Sequence, residues 1–140
     1  MKTLYTAEAL ATGEGRDGHG RTSDGTVDVA LNIPKEMGGS GVGTNPEQLF
    51  AVGYAACFHS ALRLVAKQDN ADVSDSAVGA RVSLGSNDDG GFVLAVELEV
   101  TLPNVDHAAA QALAEKAHQV CPYSNATRGN IEVTLSVTDD

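Results

Sequence analysis

The strongest constraint on the fold is a long apolar segment between about residues 46 and 68. Asn45 can cap a helix there, Pro46 suits the first helical position, and Gln48 stands three residues after the cap. The segment is apolar almost all round until Arg63, which is typical of a buried central helix and not of a surface helix. The sequence therefore predicts a fold that is built around one long internal helix.

Alternating apolar residues predict strands on both sides of this helix. The elements predicted around it are a strand at 2–12, a hairpin turn at Asp24-Gly25 that leads into a half-buried strand at 27–33, strands at 76–85 and 91–102, a helix at 106–120 and a strand at 131–137. The order β-β-β-α-β-β-α-β indicates an α+β fold, and we expect a single domain over residues 1–140. In this fold a curved antiparallel sheet wraps the long helix.

Charge and hydropathy narrow the possible partners. The formal net charge is −10, so polyanions would be repelled and we expect no binding to nucleic acid or to a membrane surface. We also expect no stretch long enough to span a bilayer, and the N-terminal residues lack the apolar core of a signal peptide. The sequence therefore predicts a cytoplasmic protein.

The chain has two cysteines, in two different settings. Cys57 lies within the long apolar helix, and Cys121 closes the second helix beside Pro122. In a reducing cytosol a cysteine pair is more often transient and catalytic than a structural disulfide. A free cysteine is also among the most frequently buried residues, so two structural thiols remain an alternative at this point.

A reactive Cys57 needs a nearby cation, because it lies about three turns into its helix and the helix dipole acts only within the first turn. The candidate is Arg16, in the glycine-rich loop 13–21; a guanidinium at about 4 Å from a thiolate gains roughly 4 kcal/mol before desolvation. Glu47 could hold Arg16 through a bidentate pair, or simply stabilise the helix N-terminus. Glu47 and Cys57 are about 15 Å apart along a straight helix. A shared site therefore requires a helix bend, a bridging Arg16 or a partner subunit.

Two other uses of these residues are weaker. Cys57-x-His59 and His118-x-x-Cys121 supply enough ligands for zinc, but Cys57 and His59 point nearly opposite ways on a helix. A G-x-G-x-x-G pattern lies within 13–18, but a strand follows it where a dinucleotide site needs a helix. We therefore expect neither a metal nor a cofactor.

Two long motifs resemble the organic hydroperoxide resistance (Ohr) proteins of the OsmC-like superfamily. The segment Asn45–Phe58 is similar to the signature helix of that family, and Val120–Asn130 is similar to its second-cysteine segment. Gly15–Gly18 resembles its arginine loop, and Pro34–Gly43 its glycine-rich approach to the helix. The resemblance covers almost the whole chain in order, and the second-cysteine segment favours the Ohr branch.

This resemblance implies a tightly intertwined homodimer with two active sites at the subunit interface. It implies a thiol peroxidase that prefers organic and fatty-acid hydroperoxides and is recycled by a dithiol, typically a lipoyl group on a partner protein. By the same resemblance Cys57 is the peroxidatic thiol, Cys121 the resolving thiol, Arg16 the activator and Glu47 the anchor of Arg16. A redox sensor or a binder of apolar ligands on the same fold is the alternative hypothesis.

Overall fold

The structure, a computed structural model, describes residues 1–138, so the last two residues of the predicted domain lie outside it. The predicted α+β class is confirmed, with three helices and two three-stranded sheets among the described residues. The chain divides into two compact units, one from Met1 to Leu49 and one that begins at Phe50. The expectation of a single domain stays a prediction.

The first unit holds a three-stranded antiparallel sheet of short strands, β1 (Ala9–Thr12), β2 (His19–Thr22) and β3 (Asp28–Ala30), in the order β1-β2-β3. The predicted hairpin turn lies between β2 and β3. There, Gly25 has a φ of +75°, and the Asp24 carboxylate accepts hydrogen bonds from the chain on both sides. The strands are shorter than the alternating pattern predicts.

The long helix α1 runs from Pro46 to Gln68 and begins at the predicted residue. The Asn45 side-chain oxygen accepts a hydrogen bond from the Gln48 amide at 2.9 Å, which satisfies one of the free donors at the helix N-terminus. Thr44 adds a hydrogen bond from its hydroxyl to the Gln48 side chain at 2.7 Å. These contacts confirm the predicted helix start.

The second unit contains the larger sheet, formed by β4 (Ala77–Ser86), β5 (Phe92–Thr101) and β6 (Glu132–Thr138). Strands β4 and β5 form the predicted antiparallel hairpin, but β6 pairs parallel to β5, so the antiparallel prediction is wrong for this strand. The reason is the crossover between them, which contains α2 (His107–Val120) and a short helix α3 (Pro122–Thr127). Helix α3 was not predicted.

The core of the second unit lies between its helices and one face of its sheet. Every second residue in the central part of β5 is buried, on one face of the sheet. Helices α1 and α2 contribute apolar side chains to the same core cluster. The buried core residues include Phe58, Leu62, Val96, Leu98, Val100 and Leu113. This packing fixes the part of α1 that carries Cys57 beside the end of α2 that leads to Cys121.

The prediction of a helix that is buried on all sides holds for one face of α1 only. Val52 and Leu64 keep 69% and 54% of their surface exposed in the single chain. With a mean hydropathy of 1.5, α1 is also long and apolar enough to cross a membrane by length and composition, so the expectation of no such stretch is wrong. A core helix of a soluble protein meets the same criterion, and α1 contributes six buried residues to the core.

Candidate active site

Arg16 and Glu47 form a bidentate ion pair in the first unit. Arg16 Nη1 donates to Glu47 Oε2 at 2.8 Å, and Nη2 donates to Oε1 at 2.7 Å. The Glu47 side chain is 17% exposed and that of Arg16 is 39% exposed. Two parallel N–H···O bonds fix the plane of the guanidinium as well as its position. The predicted pairing is therefore observed, while its role in catalysis stays a prediction.

This pair is charged on both sides at neutral pH. The hydrogen bonds from Arg16 hold the pKa of Glu47 below its usual value, and the backbone amide at the start of α1 acts in the same direction against the opposing effect of burial. The carboxylate in turn raises the pKa of Arg16. The site thus presents a permanently cationic fork whose direction is set by a carboxylate.

The turn that carries Arg16 is held in place by its backbone. It is a short 3-10 helix, Gly15–Asp17, and a Cβ on Gly18 would lie only 2.2 Å from the Thr12 carbonyl oxygen. The Asp17 carboxylate accepts a hydrogen bond from the Ile33 amide at 2.8 Å. Glycine is therefore required at position 18 by close approach of the backbone, which explains part of the glycine content of this loop.

Cys57 and Cys121 lie side by side in the second unit although 64 residues separate them in sequence. Their sulfur atoms are 3.5 Å apart, and both cysteines are free thiols. Because a disulfide bond is about 2.05 Å long, the two sulfurs need to approach by only about 1.5 Å to form one. The structure brings the two predicted thiols together as a reduced pair that is placed for disulfide formation.

Within the second unit the pKa of Cys57 is raised, not lowered. Burial is the main cause, and the neighbouring Cys121 raises it further. The backbone amide of Tyr123, in the first turn of α3, donates to the Cys57 sulfur and acts in the opposite direction. The dipole of α1 is not expected to help Cys57. The Tyr123 amide is a donor from a different helix, α3, which the sequence analysis did not predict. The predicted activation of the Cys57 thiol by Arg16 therefore stays a prediction.

A buried group of hydroxyls and one imidazole, missed by the sequence analysis, lies next to the cysteines. The Tyr54 hydroxyl is 2.8 Å from Ser124 Oγ and 3.1 Å from Thr127 Oγ1, and His118 Nδ1 is 2.8 Å from Ser124 Oγ. All three hydroxyl residues are buried. The i, i+3 spacing of Ser124 and Thr127 would have indicated a shared helix face, had α3 been recognised.

The histidines considered as zinc ligands have other partners. His118 bonds Ser124, and His59 Nε2 lies 2.9 Å from Ser76 Oγ. Over residues 1–138, no group of three or more His, Cys, Asp or Glu side chains is placed to hold a metal ion. The His118 side chain therefore takes part in a hydrogen bond with a hydroxyl group in this structure.

An open depression of about 520 Å³ borders Cys57 in the second unit. Its other lining residues are mostly apolar: Ser60, Ala61, Leu64, Val120 and Pro122. Such a surface can accept an alkyl group next to the sulfur, because burial of apolar surface is favourable and needs no matching polar partner. The arrangement can thus combine a thiol pair with an apolar substrate.

The chain is similar to several known proteins. The model of the family described as OsmC-like protein matches residues 38–136. An organic hydroperoxide resistance protein of Xanthomonas axonopodis pv. citri (strain 306) is 53% identical over 138 residues, with 97% of this chain and 96% of the relative covered. OhrB of Bacillus subtilis (strain 168), also named an organic hydroperoxide resistance protein, is 47% identical over 135 residues, 96% of this chain and 98% of the relative.

A solved structure shows the same fold. The crystal structure of an organic hydroperoxide resistance protein from Elizabethkingia anophelis has a TM-score of 0.94 to this chain at 52% sequence identity, and the match covers 100% of both chains. Because the match covers the whole chain, it spans both cysteine-bearing segments.

Proposed function

We propose that this chain, which belongs to the OsmC-like family and to its organic hydroperoxide resistance branch, is a thiol peroxidase that reduces organic hydroperoxides to alcohols. The names of its relatives support a role in resistance to organic hydroperoxides. The observation that carries the proposal is the 3.5 Å separation of the Cys57 and Cys121 sulfurs. Two free thiols at that distance are suited to a reversible oxidation cycle.

In the first step the Cys57 thiolate attacks one peroxide oxygen. The O–O bond breaks, an alcohol leaves after it takes up a proton, and Cys57 becomes a sulfenic acid. Arg16 supplies the positive charge that favours the thiolate, and it donates a hydrogen bond to the peroxide. The bidentate pair with Glu47 supports this role, because it directs the guanidinium.

In the second step the Cys121 thiol attacks the Cys57 sulfenic acid. The S–S bond forms, the S–O bond breaks, and the hydroxyl leaves as water with the thiol proton. An external dithiol then reduces the disulfide by exchange and restores both thiols. We propose a lipoyl group on a partner protein as this dithiol, and the cytoplasm, where thiols are kept reduced, as the site of the reaction.

The active form is proposed to be a homodimer. Val52, Leu64 and Val120 are large apolar side chains that remain exposed in the single chain, and the first two lie on α1. Exposed apolar side chains mark an interaction surface where they form a continuous patch, and Leu64 and Val120 border the same depression.

Organic hydroperoxides, including those of fatty acids, are the proposed substrates. The mostly apolar depression beside Cys57 favours an alkyl or aryl group over a bare peroxide. Hydrogen peroxide offers no apolar surface to bury there. We therefore expect a much larger kcat/KM for an organic hydroperoxide than for hydrogen peroxide.

The test is a turnover assay with cumene hydroperoxide and dihydrolipoamide, run in parallel with hydrogen peroxide and with the Cys57→Ser variant. Many turnovers per chain for cumene hydroperoxide, fewer for hydrogen peroxide and none for the variant are expected. A redox sensor would instead oxidise once and stop. Unchanged consumption by Cys57→Ser would contradict the assignment of the reactive thiol.

A further inference from the structure

The hydroxyl network beside the cysteines forms one directed chain of hydrogen bonds. Thr127 donates to the Ser124 carbonyl oxygen at 3.2 Å, so its oxygen accepts from Tyr54. Tyr54 then accepts from Ser124, and Ser124 accepts from His118 Nδ1, which carries a hydrogen. With this assignment each hydroxyl donates once and accepts once.

A buried network of this kind destabilises the fold unless every hydroxyl in it has a hydrogen-bond partner. Tyr54 and Ser124 are fully buried, and a buried hydroxyl without a partner costs about 1–3 kcal/mol. In residues 1–138 no buried side-chain nitrogen or oxygen lacks a hydrogen-bond partner. Because each hydroxyl depends on the next, removal of one leaves its neighbours unsatisfied, so the group resists displacement as a unit.

The members of this hydrogen-bond network lie close in sequence to both cysteines. Tyr54 is three residues before Cys57 on α1, which places both on one face of that helix. His118 is three residues before Cys121 at the end of α2, and Ser124 is three residues after it on α3. These hydrogen bonds therefore join the helix that carries Cys57 to the polypeptide segments just before and just after Cys121.

We propose that Tyr54, Ser124 and His118 are positioning residues that hold Cys121 against Cys57 and thereby set the rate at which the disulfide closes. This inference rests on the proposed function and concerns its second step. When the Cys57 sulfenic acid forms, Cys121 either attacks it, with loss of water, or a second hydroperoxide oxidises it to the sulfinic acid with release of a second alcohol. A fixed Cys121 favours closure.

Tyr54→Phe is the sharpest test because it removes one oxygen and keeps the ring. The ring packs against Phe50 and Tyr123, at centroid distances of 6.0 and 5.8 Å, and these contacts remain in the variant. Tyr5→Phe is the matched control, since it removes the same hydroxyl from an exposed residue. Ser124→Ala breaks the same chain from α3 and serves as a second variant if Tyr54→Phe fails to fold.

The measurement separates the two steps. A stoichiometric pulse of cumene hydroperoxide gives the rate of Cys57 oxidation and then the rate of disulfide closure, and mass spectrometry gives the sulfinic fraction after many turnovers. We expect closure to slow by about tenfold in Tyr54→Phe and Ser124→Ala, since misplacement of a reacting group by about 1 Å costs up to about a hundredfold. The first step should stay within about twofold, and the sulfinic fraction should rise.

Two results would overturn the inference. One is a closure rate within about twofold of the wild type in a folded variant; the other is an equal slowing of both steps, which indicates general loss of structure. The same closure can be driven with diamide, which oxidises neighbouring thiols without a hydroperoxide. Failure of the wild type to consume cumene hydroperoxide would therefore refute the proposed function, while diamide still measures what the network does.

Discussion

The molecule holds its two pairs of candidate catalytic residues by different forces. In the first unit Arg16 and Glu47 are joined by charge, at the N-terminus of a helix and in partial contact with solvent. In the second unit Cys57 and Cys121 lie 3.5 Å apart, sulfur to sulfur, and both pack against the apolar core. The stability of an ion pair depends on pH and on each of its charges. The distance between two packed thiols depends on the shape of the side chains around them. Variants of the two pairs should therefore fail in different ways.

The largest difference is expected between the two cysteines themselves. Cys57→Ser should abolish turnover, because serine has no sulfur atom that could form a sulfenic acid. Cys121→Ser should allow one round of peroxide reduction and then leave Cys57 open to over-oxidation. Quantitation of alcohol released per chain checks this. Equal loss of the first round in both variants would remove the division of roles between them.

The next largest effect concerns the guanidinium. Arg16→Ala should slow Cys57 oxidation by at least about tenfold at neutral pH, since each pKa unit by which the thiol rises lowers the thiolate fraction tenfold. The rate should recover as the pH rises towards the new thiol pKa. Arg21→Ala, which removes an exposed arginine from the same unit, is the matched control. An unchanged pH–rate profile in Arg16→Ala would show that the thiol receives its charge elsewhere.

A smaller effect is expected on stability and its dependence on pH. The folded-state pKa of Glu47 is depressed, so its stabilising contribution is complete above the unfolded-state value and is lost as the pH falls through the folded-state value. Glu47→Gln should cost about 1.5–3 kcal/mol at neutral pH, as for hydrogen bonds to charged groups. The difference from the wild type should shrink below about pH 4.3, the ordinary value for this carboxyl.

The matched control is a second arginine–glutamate pair. Glu97 and Arg81 face each other on β5 and β4 at 3.3 Å, and both side chains are exposed. Exposed pairs of this kind contribute about 0–1 kcal/mol, so Glu97→Gln should have little effect at any pH. Denaturant titrations of both variants over a pH series make the comparison. If Glu97→Gln lowers the free energy of unfolding as much as Glu47→Gln does, then burial and bidentate geometry add no stability to the Glu47 pair.

The sequence predicts the structure correctly where the signal is local or chemical. The start of α1 follows from Asn45 and Pro46. The Arg16–Glu47 pair is one of two interpretations that complementary charge allows, and the resemblance to the Ohr proteins favours it. The prediction fails where the position of an element depends on segments that are distant in sequence. The parallel pairing of β6 with β5 is set by the crossover between them, and alternation within β6 looks the same in either direction.

Helix α3 was missed because Pro122 was interpreted only as the end of α2. Proline ends a helix when it lies in the interior, but it is also favoured at the first position of a new one. The missed helix carries Ser124 and Thr127, so the hydroxyl network was missed with it. Because α3 was not predicted, the hydroxyl residues beside the cysteines were not recognised as part of the candidate site.

The smallest predicted effect tests how tightly the thiol region is packed. Gly53 lies inside α1, where alanine is about 1 kcal/mol more favourable than glycine. A Cβ there would lie 3.2 Å from the Tyr123 ring, however, so the ring must shift and the gain is offset. Gly53→Ala alone should change the free energy of unfolding by less than about 1 kcal/mol. In a Tyr123→Ala background the same substitution should stabilise by the full increment of about 1 kcal/mol, because the obstructing ring is gone. A double-mutant cycle by denaturant unfolding measures this coupling, and strictly additive values would mean that the ring beside Cys57 moves aside at no cost.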